Sequence, residues 1–278
     1  MKIVGVDIGG TKINVGRVEG NSIAQKYLVK TPALEDESTV LNAIVTAVRK
    51  VLTNDVKAIG IGVPGMVDTK NGIVFQVQNI PSWKEVHIKE YLEKEFGIAV
   101  FVNNDANCFA AGENRFGKAK DYQNFVGITL GTGLGAGIII DNSLHNGVGA
   151  GAGELGYLPY KDGIFEHYCS SQFFSKFHHT TGLEVYEAIQ QGDEKAQEIM
   201  DEFGFHLGEL IKRACYVLAP EAVVFGGSIS KAFKTFEKSM KANISTFPFA
   251  SVIEGLNVFP SNLDDISVLG AAALYYNH

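Results

Sequence analysis

The residues with the clearest chemical meaning in this sequence are acidic groups and glycines that follow apolar runs. The motif DIGGT begins at Asp7, and its glycines, Gly9 and Gly10, allow backbone N–H groups to point at one spot and a phosphate to approach closely. Asp7 could hold Mg²⁺ directly or through a water molecule, because Mg²⁺ prefers carboxylate and water ligands. Thr11 and Lys12 could contact the terminal phosphate of a nucleotide. A plain β-hairpin turn explains the same glycines, so this motif alone leaves both interpretations open.

A second glycine loop, GTGLGAG, begins at Gly131. Gly131, Thr132 and Gly133 could form another phosphate-binding turn. With Ala136, these glycines also satisfy a loose form of the dinucleotide-binding fingerprint, but that fingerprint must open a helix. The residues AGIIID continue as a strand instead, and no Gly-Lys-Ser/Thr sequence follows. We therefore favour a phosphate-binding hairpin over a Rossmann or Walker A loop.

The tripeptide NND ends at Asp105 and follows a short apolar run. A carboxylate at the end of a strand, beside a glycine-lined site, can accept the proton of an attacking hydroxyl group during phosphoryl transfer. Asp105 also precedes a helical pattern that begins at Ala106, and Asp is a favoured N-cap residue. Taken in isolation the tripeptide favours the cap, although the two roles are compatible.

Two further segments carry candidate ligand groups. GELGY supplies Glu154, and Glu166 follows it. Two such carboxylates can bind vicinal hydroxyl groups through charge-assisted hydrogen bonds, although a solvated surface acid is the simpler interpretation of Glu166 alone. VVFGGSIS places Gly226 and Gly227 between a strand and a helix, where a flat backbone surface could face a nucleotide base or ribose. A simple tight turn explains those two glycines equally well.

Short apolar runs and amphipathic stretches alternate along the chain, which is typical of an α/β protein. The predicted strands are residues 2–7, 13–19, 58–63, 98–102, 125–130, 136–141 and 221–225. The predicted helices are residues 37–52, 86–96, 106–115, 196–218 and 268–276, with Ser38 as N-cap of the first. The pattern GVDIGGTK at Gly5 returns as GITLGTGL at Gly127. This similarity predicts a duplicated fold with two equivalent phosphate hairpins.

Composition restricts the function classes. The chain of 278 residues has a net charge of −7, which argues against a nucleic-acid-binding surface. We find neither a signal-peptide pattern nor an apolar run of the ~18 residues that would indicate a membrane span. The three cysteines, Cys108, Cys169 and Cys215, are far apart. We therefore expect no disulfide framework and a location in the reducing cytoplasm.

Taken together and in this order, the motifs resemble those of the ROK family (repressors, uncharacterised reading frames and kinases). DIGGT, VPGMVD, VNNDAN with a following Glu, GTGLGAG, GELGY and FGGSIS each occur where that family has a motif, and they extend over nearly the whole chain. The resemblance implies an actin-like ATPase fold, a duplicated ribonuclease H-like α/β architecture with two lobes around a cleft for ATP and sugar. It also implies a small lobe over residues 1–106, a large lobe over 107–265, a C-terminal helix over 266–278 that packs back toward the small lobe, and a homodimer.

The resemblance further implies an ATP-dependent hexose 6-kinase and gives each matching residue a role. Asp105 would deprotonate the 6-hydroxyl group of the sugar. The residues that bind or line the sugar would be Gly65, Asn79, Asn104, Glu154, Tyr157 and Glu166. The residues around the phosphates of Mg-ATP would be Asp7, Gly9, Gly10, Thr11, Lys12, Gly131, Thr132 and Gly133. The adenosine would face Gly226 and Gly227.

Two departures from the family pattern concern the sugar. The family usually has a His at the position of Tyr157, where it serves both zinc and sugar, and a three-cysteine zinc loop soon after. Here the stretch is YKDGIFEHYCSS. Because both partners are absent together, we predict no structural zinc. The phenol ring of Tyr157 near the anomeric end of the sugar makes a β-glucoside, N-acetylglucosamine or N-acetylmannosamine an alternative substrate to glucose.

Two other function classes fit parts of the pattern. The family includes sugar-responsive repressors, which carry an N-terminal helix-turn-helix domain. Here the first phosphate strand begins at residue 2 or 3, so we expect no such domain and no repressor. A non-catalytic sugar sensor would keep the fold, but the ATP motifs and the base are all present, which favours an enzyme.

Overall fold

The computed structural model describes residues 1–277 and divides into two compact units. The first unit consists of Met1–Asp121, Ser143–Ala152 and the chain from Leu263 to the last described residue. The second consists of Tyr122–Asn142 and Gly153–Asn262. Each unit has its own sheet and hydrophobic core. The chain therefore passes back and forth between the units. The lobes over residues 1–106 and 107–265, with a C-terminal helix that returns to the small lobe, stay a prediction.

The elements alternate between strands and helices over most of the chain. The strands are β1 (Lys2–Ile8), β2 (Lys12–Glu19), β3 (Ser22–Lys30), β4 (Val56–Val63), β5 (Met66–Asp68), β6 (Ile73–Phe75), β7 (Glu85–Val86), β8 (Ala99–Asn104), β9 (Phe125–Leu130), β10 (Leu134–Ile140), β11 (Ser143–Leu144), β12 (Pro159–Tyr160), β13 (Gly163–Ile164), β14 (Ala222–Gly226) and β15 (Asn257–Pro260). The helices are α1 (Glu37–Val51), α2 (Ile88–Phe96), α3 (Asp105–Phe116), α4 (Phe165–Cys169), α5 (Ser171–His178), α6 (Gly182–Gln190), α7 (Glu194–Leu218), α8 (Phe233–Ile244), α9 (Ala250–Ile253) and α10 (Ile266–Ala273).

The main sheet of the first unit has the strand order β3-β2-β1-β4-β8. Strands β1, β2 and β3 form an antiparallel meander, whereas β1, β4 and β8 run parallel. Asp7 lies opposite Gly62, and Gly62 lies opposite Asn103. The carboxyl ends of these three parallel strands therefore lie at one edge of the sheet, which is where ligands bind in open α/β sheets.

Helix α10 packs on this sheet through glycines. A Cβ atom at Gly5 would lie 2.0 Å from the carbonyl oxygen of Val268, and one at Gly60 would lie 1.8 Å from that of Ala271. Gly5 and Gly60 are partners in the register of β1 and β4, so their missing side chains leave room for the helix backbone. Helix α3 packs against α10 as well, which brings residues 107–121 into the first unit rather than the second.

The second unit repeats the strand arrangement of the first. Strands β9 and β10 form an antiparallel hairpin, and β9, β14 and β15 run parallel. Its core contains many aromatic side chains from α5, α7 and α8, including Phe173, Phe203 and Phe236. Each unit therefore consists of a hairpin joined to parallel strands, which confirms the predicted duplication.

Two local predictions were wrong or incomplete. The N-cap of α1 is Asp36 rather than Ser38, because Asp36 directly precedes the helix and its Oδ1 accepts a hydrogen bond of 2.8 Å from the backbone N–H of Thr39. Strand β3 was not predicted, since most of its side chains are exposed or half-buried and polar residues break its apolar pattern. Within residues 1–277, no helix is both long enough and apolar enough to cross a bilayer.

Candidate active site

The first glycine turn connects β1 and β2 and is held by backbone contacts. The N–H of Gly9 donates to the carbonyl of Lys12 at 3.0 Å, and the hydroxyl of Thr31 donates to the carbonyl of Gly9 at 2.6 Å. A Cβ atom at Gly10 would lie 2.5 Å from the Cβ of Asn79. The turn therefore needs glycine at position 10, and it packs against Asn79, one of the predicted sugar-site residues.

Asp7 lies at the carboxyl end of β1, directly before this turn. Burial raises the pKa of its carboxyl group above the ordinary value, while a hydrogen bond from Ser267 and the charge of Lys12 act in the opposite direction. A desolvated carboxylate beside a glycine turn is suited to a cation. No group of three His, Cys, Asp or Glu residues within 1–277 forms a metal site. This single carboxylate fits Mg²⁺, which takes its remaining ligands from phosphates and water.

The NND turn joins β8 to α3, and its last two residues, Asn104 and Asp105, occupy different positions at the start of the helix. Asn104 is the N-cap, since its Oδ1 accepts from the N–H of Ala106 at 2.9 Å. Asp105 is the first helical residue; its carboxylate is exposed, and one oxygen also accepts from the N–H of Ala106. The prediction that Asp105 itself caps the helix was therefore wrong in detail. Its position at the N-terminal end of α3 stabilises a negative charge.

Asn104 also connects the NND turn to the Pro-Gly turn after β4. Its Nδ2 donates to the carbonyl oxygen of Gly65 at 3.1 Å. Gly65 has φ of 99°, a conformation that favours glycine. Within the first unit, the structure thus brings together at one sheet edge the residues Asp7, Gly65, Asn104 and Asp105.

The second glycine turn connects β9 and β10 and is held by Glu166. One carboxylate oxygen of Glu166 accepts from the backbone N–H of Leu134 at 3.0 Å, and the other accepts from Nε2 of Gln172 at 3.0 Å. A Cβ atom at Gly133 would lie 2.6 Å from the same carboxylate. Glu166 is therefore not an isolated surface acid: it supports the predicted phosphate turn, a contact that the sequence did not indicate.

The glycines of GELGY fix that segment on β10. A Cβ atom at Gly153 would lie 2.3 Å from the carbonyl oxygen of Ala136, and one at Gly156 would lie 2.6 Å from that of Leu134. Glu154 lies between these two glycines in the sequence and Tyr157 follows the second. Both side chains are exposed, and 61% of the Tyr157 surface is accessible. The backbone of this segment is thus packed closely on β10, and it exposes the carboxylate of Glu154 and the phenol ring of Tyr157.

The FGG turn after β14 is held in the same way. Gly227 has φ of 83°, and a Cβ atom there would lie 2.2 Å from the carbonyl oxygen of Leu130. Gly226 lies opposite Thr129 in the register of β14 and β9. Gly226, Gly227 and the turn from Gly131 to Gly133 therefore lie at the same edge of the second sheet.

A sequence model of the ROK family matches residues 3–278, almost the whole chain. The chain belongs to the ROK family. The glucokinase of Thermotoga maritima is 29% identical to it, over 99% of this chain and 97% of that protein. The xylose repressor of Bacillus subtilis is 26% identical, over 99% of this chain and 77% of that protein.

A solved structure extends the comparison from sequence to fold. The ROK glucokinase of Streptomyces griseus in complex with glucose and AMPPNP has a TM-score of 0.81 and 29% identity, and the match covers 99% of each chain. The actin-like, duplicated ATPase fold predicted from the motifs is therefore confirmed. The family contains both kinases and repressors, so membership alone does not define the activity.

The segment where other ROK proteins would carry zinc ligands is filled by aromatic side chains in this member. The ring of Tyr160 stacks on Phe165 with centroids 4.2 Å apart, and its hydroxyl group lies 2.9 Å from Nδ1 of His206. Cys169 is buried with a free thiol, and burial raises its pKa. The absence of structural zinc stays a prediction, and metal analysis of the purified protein would test it.

The protonation state of Glu154 is expected to set the pH below which this ROK protein binds its sugar less tightly. Although the Glu154 residue is exposed as a whole, neighbouring atoms partly desolvate its carboxyl group, and this desolvation and the charge of Glu166 raise the pKa of Glu154. As pH falls through this raised pKa, Glu154 is protonated and accepts fewer hydrogen bonds. If Glu154 binds a sugar, as the resemblance predicts, KM for that sugar should rise at a higher pH than for an ordinary Glu. Steady-state KM measured against pH checks this prediction. Glu154→Gln should remove the pH dependence, and an unchanged profile in that variant would contradict it.

Proposed function

We propose that this protein transfers the γ-phosphoryl group of ATP to the 6-hydroxyl group of a hexose. The observation that carries the proposal is the edge of the first sheet. There the carboxylate of Asp7 and the glycine turn lie at the end of β1, and the carboxylate of Asp105 follows β8, at the carboxyl ends of parallel strands in register. Phosphoryl transfer needs this combination of phosphate-binding amides, a cation ligand and one base.

Asp105 acts as the general base in the proposed reaction. The 6-oxygen of the hexose attacks the γ-phosphorus of ATP, the bond between that phosphorus and the β,γ-bridging oxygen breaks, and ADP leaves. The hydroxyl proton passes to the Asp105 carboxylate and then to water. Asn104 holds the turn in place through Ala106 and Gly65, so the carboxylate keeps a fixed position.

The two glycine turns are the proposed phosphate-binding elements. The turns at Gly9 to Lys12 and at Gly131 to Gly133 offer backbone N–H groups, and Gly226 and Gly227 would face the adenosine. Mg²⁺, when bound, neutralises charge on the phosphates. Asp7 would hold it directly or through water, which fits the desolvated state of its carboxyl group.

The proposed sugar ligands are carboxylates and amides. In the second unit, Glu154 and Glu166 would accept hydrogen bonds from sugar hydroxyl groups. In the first unit, the proposed sugar-binding residues are Asn104, Gly65 and Asn79. The similarity to the glucokinases of Thermotoga maritima and Streptomyces griseus favours glucose. Tyr157 favours an additional tolerance for a substituent at the anomeric carbon, because an exposed ring can pack against an apolar group. N-acetylglucosamine, N-acetylmannosamine and a β-glucoside are therefore alternative substrates.

The expected homodimer and cytoplasmic location stay predictions.

An ADP-release screen with Mg-ATP tests this proposal. The sugars are glucose, mannose, fructose, N-acetylglucosamine, N-acetylmannosamine and a β-glucoside. At least one hexose should release ADP above the rate without sugar. Tyr157→Ala should change the ranking of the sugars while KM for ATP stays constant. Failure of every sugar, together with specific binding of operator DNA in a gel-shift assay, would favour a regulatory protein instead.

A further inference from the structure

A buried chain of asparagine side chains lies behind the NND turn in the first unit. Asn103 is only 4% exposed, and its Oδ1 accepts from the backbone N–H of Asn104 at 2.8 Å and from Nδ2 of Asn107 at 2.9 Å. Both donors meet one oxygen, so the amide of Asn103 has a defined orientation. Its Nδ2 must face the other way.

Nδ2 of Asn103 donates to Oδ1 of Asn146 at 2.7 Å. Asn146 begins a glycine-rich loop, and its own carbonyl oxygen closes that loop by accepting from the N–H of Ala152 at 3.1 Å. Gly153 and Glu154 follow directly in the chain. The first residue of the loop before Glu154, Asn146, is thus hydrogen-bonded to Asn103, and Asn103 in turn accepts from the backbone of Asn104.

A cavity of about 140 Å³ adjoins this contact, lined by Asn103, Asn146 and apolar residues that include Phe101, Leu144 and Leu274. The bond between the two asparagines is therefore not enclosed by packed side chains on every side. Thr69, Lys70 and Asn277 also line the cavity, but the acceptor that Nδ2 of Asn103 uses is Oδ1 of Asn146. The position of Asn103 depends on this one hydrogen bond more than it would in a close-packed core.

We propose that Asn146 is a positioning residue for the base Asp105, acting through Asn103 and Asn104. The proposal rests on the proposed kinase function and adds a residue to it. Losing the bond leaves the amide of Asn103 held through Oδ1 alone, which loosens its hydrogen bond to the backbone of Asn104 and shifts the first turn of α3. A shift of ~1 Å in a catalytic group can lower a rate by about a hundredfold.

The test compares two substitutions of nearly the same size. Asn146→Leu removes the acceptor while keeping most of the side-chain volume, so Nδ2 of Asn103 loses its protein partner and kcat should fall roughly tenfold to a hundredfold. KM for ATP should stay within about twofold, because the phosphate turns do not depend on this contact. Asn146→Asp keeps an oxygen that accepts from Asn103, so its kcat should be close to that of the wild type.

Asn243→Ala is the control for lost stability. Asn243 is also buried, at 5% exposure, and its Nδ2 donates to the carbonyl of Phe205 in the second unit. This variant should lower the melting temperature without lowering kcat. The proposal is overturned if Asn146→Leu keeps wild-type kcat, if Asn146→Asp loses as much as Asn146→Leu, or if Asn243→Ala loses as much kcat. Absence of turnover in the wild type would instead refute the kinase function itself.

Discussion

Asp105→Asn is expected to lower kcat by roughly 10²- to 10⁴-fold while sugar binding is retained, because the amide keeps the shape of the side chain but cannot accept the proton of the 6-hydroxyl group. Steady-state kinetics give kcat, and calorimetry gives the affinity for the sugar without turnover. The melting temperature should change little, since Asn104 rather than Asp105 caps α3. A kcat near that of the wild type would remove Asp105 from the role of base.

Asp193→Asn is the matched control for this substitution. Asp193 also lies at the start of a helix, where its carboxylate accepts from the N–H groups of Lys195 and Ala196 at 2.9 and 3.2 Å. Removing its charge should weaken the start of α7 and leave kcat unchanged. If both variants lost activity to the same extent, loss of a helix-terminal charge would be the better explanation.

Gly60→Ala is expected to destabilise the fold by about 3 kcal/mol or more, the upper end of the cost of overpacking a core. A Cβ atom at this position would lie 1.8 Å from the carbonyl oxygen of Ala271, so α10 must move away from the sheet. For a chain of this size the melting temperature should fall by roughly 6–12 °C. Thermal unfolding monitored by circular dichroism measures the shift.

Gly255→Ala is the control for the effect of an added methyl group. An added Cβ atom there meets no heavy atom within 4 Å. This substitution should leave the melting temperature unchanged or raise it slightly, because it only restricts the unfolded chain. Equal melting temperatures for the Gly60 and Gly255 variants would contradict close packing of α10 on the sheet.

Much of the fold could be predicted because the motifs sit at the ends of buried strands. Continuous apolar runs such as those of β1, β4 and β9 indicate buried strands, and the glycine turns that follow them recur in both halves of the chain. The positions of the candidate phosphate turns followed directly from this pattern. Their assignment to one sheet edge in each unit required the register, which the structure supplies.

The contacts that hold these turns could not be predicted from local sequence. Glu166 and Leu134 are 32 residues apart, and Asn103 and Asn146 are 43 apart, so no spacing rule connects them. Likewise, choosing between Asn104 and Asp105 as the cap depends on where the helical dihedral angles begin. The same limit explains Ser38: Asp36, Ser38 and Thr39 are all suited to capping and lie within four positions at the start of α1, and only the backbone identifies Asp36 as the N-cap.

The most direct test of the proposed reaction is phosphorus NMR of the product formed from ATP and the hexose that gives the highest rate. We expect ADP and a phosphate monoester in equal amounts, with the ester phosphorus coupled to the protons on carbon 6. The 6-deoxy analogue of the same hexose should give no ester and no sugar-dependent ADP. Formation of inorganic phosphate alone, or of an ester at another carbon, would contradict transfer to the 6-hydroxyl group.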